Sequence, residues 1–132
     1  IVNTQNSLQL AKSILSGKVG FALSLAQDLL DRNEPPLKIV ATLVGQFRTW
    51  AIVKSAIESG EKDDRAIALI AEVGNPYRIP HLRKEISTCS ETQLFATFPI
   101  LLKLEFNLKK GVEPLTALQT KIIELCLVIK NN

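Results

Sequence analysis

Apolar residues recur along most of this chain at spacings of three and four, the period of a helix face. Turn and cap signals cut it into about seven helices, and no stretch reads as a strand. Asn6 can cap a first helix over Ser7–Ser16, stopped by Gly17. A second covers about Lys18–Asp31, with Phe21, Leu25 and Leu29 in one stripe and Leu23, Ala26 and Leu30 beside it. Pro35 and Pro36 then open a third, which Gly60 ends. Asp63 or Asp64 caps a fourth, ending at Gly74, and Asn75-Pro76 opens a fifth reaching about Thr88, with Pro80 inside it. Ser90 and Gln93 have the spacing of a capping box for a sixth, Glu91–Lys110, which Pro99 should kink and Gly111 should end. A last helix covers about Pro114–Lys130, with Leu115, Leu118, Ile122, Leu125 and Ile129 on one face. The expected fold is all-α: a compact bundle of about six to seven helices around one long central helix, forming a single domain over residues 1–132.

The third helix is the unusual one. From Pro36 to about Ser59 it would span roughly 36 Å at 1.5 Å per residue. On a helical wheel Phe47 aligns with Val40, Leu43, Val44 and Ala51, while Ile39, Gln46, Trp50, Val53 and Ile57 form a neighbouring stripe. The opposite side is small rather than charged: Ala41, Gly45 and Ala56, with Thr42, Thr49 and one large residue, Ile52; Arg48 borders it. The pattern predicts a helix without a true solvent face, covered from most directions by its own domain or in part by another chain. Small residues would let a second helix come close. Gln46 and Lys54 fall within the apolar stripes, where a satisfied buried amide and a snorkelling lysine compete with a subunit interface as explanations.

Composition narrows the class. The chain is 132 residues long, 46% hydrophobic and 22% charged, enough for a real core. A net charge of +3, with basic residues scattered, does not single out a nucleic-acid binder. Cys89 and Cys126 lie far apart without metal spacing and read as free thiols of a reducing cytoplasm. No signal peptide or spanning apolar run is present. The chain begins at Ile1 and contains no Met, so it is expected to be a piece of a longer protein.

Catalytic signatures are missing. No phosphate-binding or dinucleotide glycine pattern occurs, and no serine hydrolase elbow. His81, the single histidine, stands beside Arg83 and Lys84 with no second ligand near it. The expectation is a non-enzyme with no cofactor and no metal. One binding pattern competes: "RAIALIAEVGNPYRIPHLRKEIS" reads as helix, turn and basic second helix, the alternative being a helix-turn-helix-like nucleic-acid-binding domain. Pro80 interrupts its would-be recognition helix.

Three stretches in order carry a resemblance. "LLDRNEPPLKIVATLVGQFRTWAIVKSAIESG" places a Pro-Leu approach before a Gln-Phe-Arg core and Lys54; "IAEVGNPYRIPHLRKEIS" has a Pro-Tyr-Arg helix start; "LLKLEFNLKKGVEPLTALQTKIIEL" places Glu105, Lys109 and Gly111 in an acid-x-x-x-Lys-x-Gly pattern. From about Asn6 to Leu125 the chain resembles the C-terminal domain of bacterial DNA polymerase III delta subunits, clamp-loader proteins. It departs from them at Glu105 (more often Asp), Lys110 (usually small), Asn33 (frequently Gly), Pro80 and Pro99. The resemblance implies a cytoplasmic collar domain of DNA replication. Such a domain would contact other clamp-loader subunits of the gamma/tau and delta prime type. The sliding clamp would be met only through a preceding AAA+-like region, DNA at most indirectly, and no membrane is involved. ATP hydrolysis falls to the sister subunits. Gln46, Arg48, Lys54, Arg83 and Lys109 are the candidate subunit-interface residues. Glu105 and Lys109 also have a local reason, as an i,i+4 pair in the favourable order.

Overall fold

The computed structural model describes residues 4–130, and the side chains from residue 6 onward. The helices are α1 (Thr4–Leu15), α2 (Val19–Asp31), α3 (Pro36–Glu58), α4 (Asp64–Ala71), α5 (Ile79–Glu85), α6 (Glu91–Lys109) and α7 (Pro114–Lys130), with a 3-10 turn at Pro76–Arg78 before α5. Among the described residues there is no strand. Five helices close a ring of packed neighbours in the order α1, α2, α7, α6, α3, and α4 and α5 pack against α3. The expected all-α bundle around a long helix is therefore the observed one.

Local chemistry explains most of the boundaries. Pro36 opens α3 where its missing N–H costs nothing, and Gly60 leaves the helix at φ +100°. Ser90 Oγ accepts from the Gln93 N–H at 3.0 Å and Gln93 Oε1 accepts from the Ser90 N–H at 2.8 Å, completing the capping box of α6. Asp63 caps α4 through the Arg65 N–H. Asn33 holds a left-handed φ of 64°, which explains how it stands where a glycine is frequent: Asn tolerates this region best after Gly.

Several expectations are corrected. Asn6 does not cap α1, which is already helical at Thr4. α4 stops at Ala71 rather than Gly74, because Glu72 takes the left-handed cap at φ 58°. The fifth helix is split, since Pro80 is accommodated in the first turn of α5, where its missing donor is harmless; the helix then ends at Glu85, short of Thr88. On α2 the core face is Ala22, Ala26 and Leu29, and Phe21 points out at 56% exposure. α6 continues on both sides of Pro99.

The core is continuous. Phe47 and Trp50 are fully buried at its centre and meet edge to face at 5.0 Å. Leu10 and Ile14 from α1, Leu101 and Leu104 from α6, and Leu118, Ile122 and Leu125 from α7 belong to the same buried cluster. The Trp50 indole N–H donates to Glu85 Oε1 at 3.0 Å, and Lys12 Nζ lies 3.5 Å from Glu85 Oε2. Both cysteines are buried, and burial pushes both thiols up, against smaller lowering from Thr88 and Lys54 at Cys89 and from Lys130 at Cys126. They are packing residues rather than activated nucleophiles.

Candidate subunit interface

Two helices leave apolar or small surface uncovered, and they are neighbours. α6 buries Leu94, Leu101 and Leu104 in the core. Its opposite arc is also apolar. Phe95, Pro99, Leu102 and Phe106 recur at i, i+4, i+7 and i+11, within about 60° of the wheel. Phe95 is 45%, Leu102 68% and Phe106 52% exposed. A residue that normally paints a solvent face is absent from the middle of this arc. Pro99 adds a second feature: lacking an N–H, it leaves the Phe95 carbonyl without its intrahelical donor.

The adjoining strip of α3 is small. Ala41, Gly45 and Arg48 are exposed, and a Cβ built on Gly45 would meet nothing within 4 Å. At Ala41 and Gly45 the small side of α3 is thus uncovered among the described residues, whereas Ala56 is buried and α3 packs against α1, α4, α5 and α6. Between α3 and α6 lies a groove of about 450 Å³, lined by Val44, Phe98, Pro99, Leu101, Leu102 and Glu105.

Charge around this face is lopsided. Lys103 and Lys110 hold their ammonium groups 5.1 and 5.6 Å from the Phe106 ring centre. Neither forms an ion pair among the described residues, nor does Arg48. Glu105, the acid nearest the groove, is already paired with Lys109 at 3.0 Å.

The five residues singled out in the sequence are not brought together. Gln46 is half-buried in a separate shallow hollow with Lys12, Arg78, His81 and Glu85. Lys54 donates to the Ile86 carbonyl at 3.3 Å, joining α3 to the end of α5. Arg83 is bound to Asp64 Oδ1, at 3.1 Å from Nε and 3.0 Å from Nη2, and to the Lys62 carbonyl at 3.3 Å. Lys109 serves Glu105. Arg48 alone of the five lies free beside the open face. The clasp on Arg83 and the seven-residue length of α5 also weigh against a DNA-reading helix. The stripe on α6 was missed in the sequence, although its spacing signals it. Leu94, Leu101 and Leu104 keep the helix period on the core side of α6, and Phe95, Leu102 and Phe106 keep it on the other side.

Among the described residues no group of three His, Cys, Asp or Glu could hold a metal ion, and no helix is long and apolar enough to cross a membrane.

Fold and face together define an all-helical domain with an uncovered apolar surface beside its central helix. Residues 4–125 match the family described as DNA polymerase III delta subunit, C-terminal domain, and the chain belongs to that family. It is 30% identical over 107 residues to the DNA polymerase III subunit delta of Bacillus subtilis (strain 168), a match covering 81% of this chain and 30% of that protein. The structure is similar to that of the Bacillus subtilis DNA clamp loader delta protein (YqeN), with a TM-score of 0.79 and 27% identity, covering 96% of this chain and 37% of that one. This chain thus spans about a third of the length of these relatives.

Proposed function

We propose that this chain is the collar module of a clamp-loader delta subunit: a non-catalytic, cytoplasmic assembly domain within a longer protein. In this reading it packs against gamma/tau-type and delta prime-type subunits. Contact with the sliding clamp belongs to a preceding region, and ATP hydrolysis to the sister subunits. The observation that carries the proposal is the family match across residues 4–125. The uncovered face of α6 and α3 supports it, because a domain whose work is assembly must keep packing surface in reserve.

The test uses the intact subunit carrying this domain, with the other clamp-loader subunits of the same source. Size-exclusion chromatography of the reconstituted mixture should give one multisubunit peak. Deleting residues 4–130 should move the remainder of the subunit out of that peak while leaving its clamp binding intact. Normal assembly without the domain overturns the proposal.

A further inference from the structure

We infer that the open face of α6, with the adjoining groove on α3, receives an amphipathic helix of another subunit whose apolar ridge is flanked by carboxylates. This rests on the assembly reading above and names the partner's chemistry. Three features of the surface select that occupant.

The first is shape. The stripe Phe95, Pro99, Leu102 and Phe106 follows one helix face, and the groove floor of Val44, Phe98 and Leu101 runs beside it. On α3, Ala41 and Gly45 flank Val44 as exposed small residues, and the open space over Gly45 leaves room for close approach. A helix with residues at i, i+3 or i+4, and i+7 fills such a channel with one ridge. At an ordinary interaxial distance of about 8–10 Å it would touch α3 and α6 together.

The second is charge. Lys103 and Lys110 flank the stripe, and Arg48 follows Val44 by one turn on α3. Against three cations without ion pairs among the described residues stands one acid, Glu91, a turn before Phe95; Glu105 is taken by Lys109. A partner with Asp or Glu beside its apolar ridge answers these charges, and a basic one is repelled.

The third feature removes the simplest competitor, a second copy of this chain. Antiparallel pairing of two α6 stripes would set Phe95 against Phe106 and Glu91 against Lys110 in both directions. It would leave the α3 groove open and Lys103 and Arg48 without acids. One helix stripe also falls well short of the roughly 800 Å² per partner that a stable interface buries. The stripe and the groove have to be covered together.

The experiment is again the intact subunit with its partner subunits, now with surface variants measured by titration. Leu102→Asp puts a carboxylate into the apolar channel at a position exposed enough to leave the fold unchanged, which circular dichroism checks. It should weaken assembly about tenfold or more, as expected for a central interface residue. Lys103→Glu with Lys110→Glu should weaken assembly too, by a factor that shrinks between about 50 and about 300 mM salt. Leu69→Asp, on the 81% exposed Leu69 of α4, should change nothing. If wild type assembles and both channel variants assemble equally well, this inference fails and the assembly reading stands. If wild type does not assemble, both fail. If the channel variants abolish only self-association of this subunit, the occupant is a second copy and the inference is overturned.

Discussion

Replacing Phe47 by Ala tests whether the centre of the fold lies where the contacts place it. Phe47 is fully buried and meets the Trp50 ring edge-on at 5.0 Å. Deleting a buried aromatic costs about 3–5 kcal/mol, and an edge-to-face pair contributes about 0.5–1.5 kcal/mol beyond area burial. A loss of about 4 kcal/mol is therefore expected. With an unfolding entropy of about 2.1 cal/mol/K per residue over 132 residues, that loss lowers Tm by about 14 °C. The matched control is Leu102→Ala, which removes an apolar side chain that is 68% exposed and should change stability by no more than about 0.5 kcal/mol. Urea titrations followed by circular dichroism at about 222 nm give both numbers, provided the slope with denaturant is unchanged. Trp50, the only tryptophan, gives a second probe, and coincidence of the two curves checks two-state unfolding. A Phe47→Ala loss below about 1 kcal/mol would refute the placement of the core. So would a Leu102→Ala loss of similar size to that of Phe47→Ala, since it would mean that α6 faces inward on both sides.

Two further predictions concern helix ends. Gln93 is buried and donates from Nε2 to the Ile129 carbonyl at 2.9 Å, satisfying a C-terminal acceptor of α7 while its Oε1 caps α6; Gln93→Leu should cost about 1–3 kcal/mol and speed amide exchange in the last turn of α7, and unchanged exchange there would count against the tie. Glu113 is held below the ordinary carboxylate range by the Thr116 N–H, then by the Thr116 hydroxyl and the Leu115 N–H. Its folded-state pKa lies below its unfolded one, so its contribution is fully present above the unfolded value and disappears as pH falls through the folded one. A carboxyl NMR titration should show the lowered midpoint, and Thr116→Ala should move it back up; an ordinary midpoint in wild type would refute the capping role.

The architecture was legible because its punctuation is local. Pro36, Ser90 with Gln93, Gly60 and Gly111 each act within a turn of where they stand, so α3, α6 and α7 could be bounded within a residue. Boundaries failed where two local solutions competed. Gly74 is the better left-handed residue, yet Glu72 takes that cap and lets Val73 enter the core. The aligned stripe on α2 failed for a different reason. Phe21 keeps the helix period, but Ala22 and Ala26 are what a closely packed α1 and α7 admit, and closeness is a tertiary property. The candidate interface residues were chosen by charge and polarity. Charged and polar residues attracted attention, and most of them proved to be spoken for within the domain: Arg83 by Asp64, Lys54 by Ile86 and Lys109 by Glu105. What remains open is apolar or small, and hydrophobic content alone does not tell which of two faces of α6 meets the core.

An exposed apolar face has to coexist with solubility, and the cations on α6 bear on how it does. Lys103 and Lys110 reach over Phe106 from two sides, covering part of the ring with their stems while their ammonium groups stay in water. Two copies meeting at this face would have to crowd those charges together unless Glu91 were in register with Lys110. A partner helix bearing carboxylates meets the opposite situation: each acid that approaches draws a lysine off the ring and exposes Phe106 to the incoming ridge. The same two residues therefore disfavour the wrong association and open the surface to the right one. This separates reversing the two lysines from truncating them. Lys103→Glu with Lys110→Glu should slow capture of the partner without promoting self-association, since the new glutamates restore like-charge repulsion between two copies. Truncating both lysines to Ala should slow capture less and raise the tendency of the isolated subunit to associate with itself, since Phe106 loses its cover and no like charges remain there. Sedimentation velocity of the subunit alone, set beside the assembly titration, reads the two separately. Truncation that weakened assembly with no change in self-association would leave the lysines a role in recognition only and remove their role as a guard.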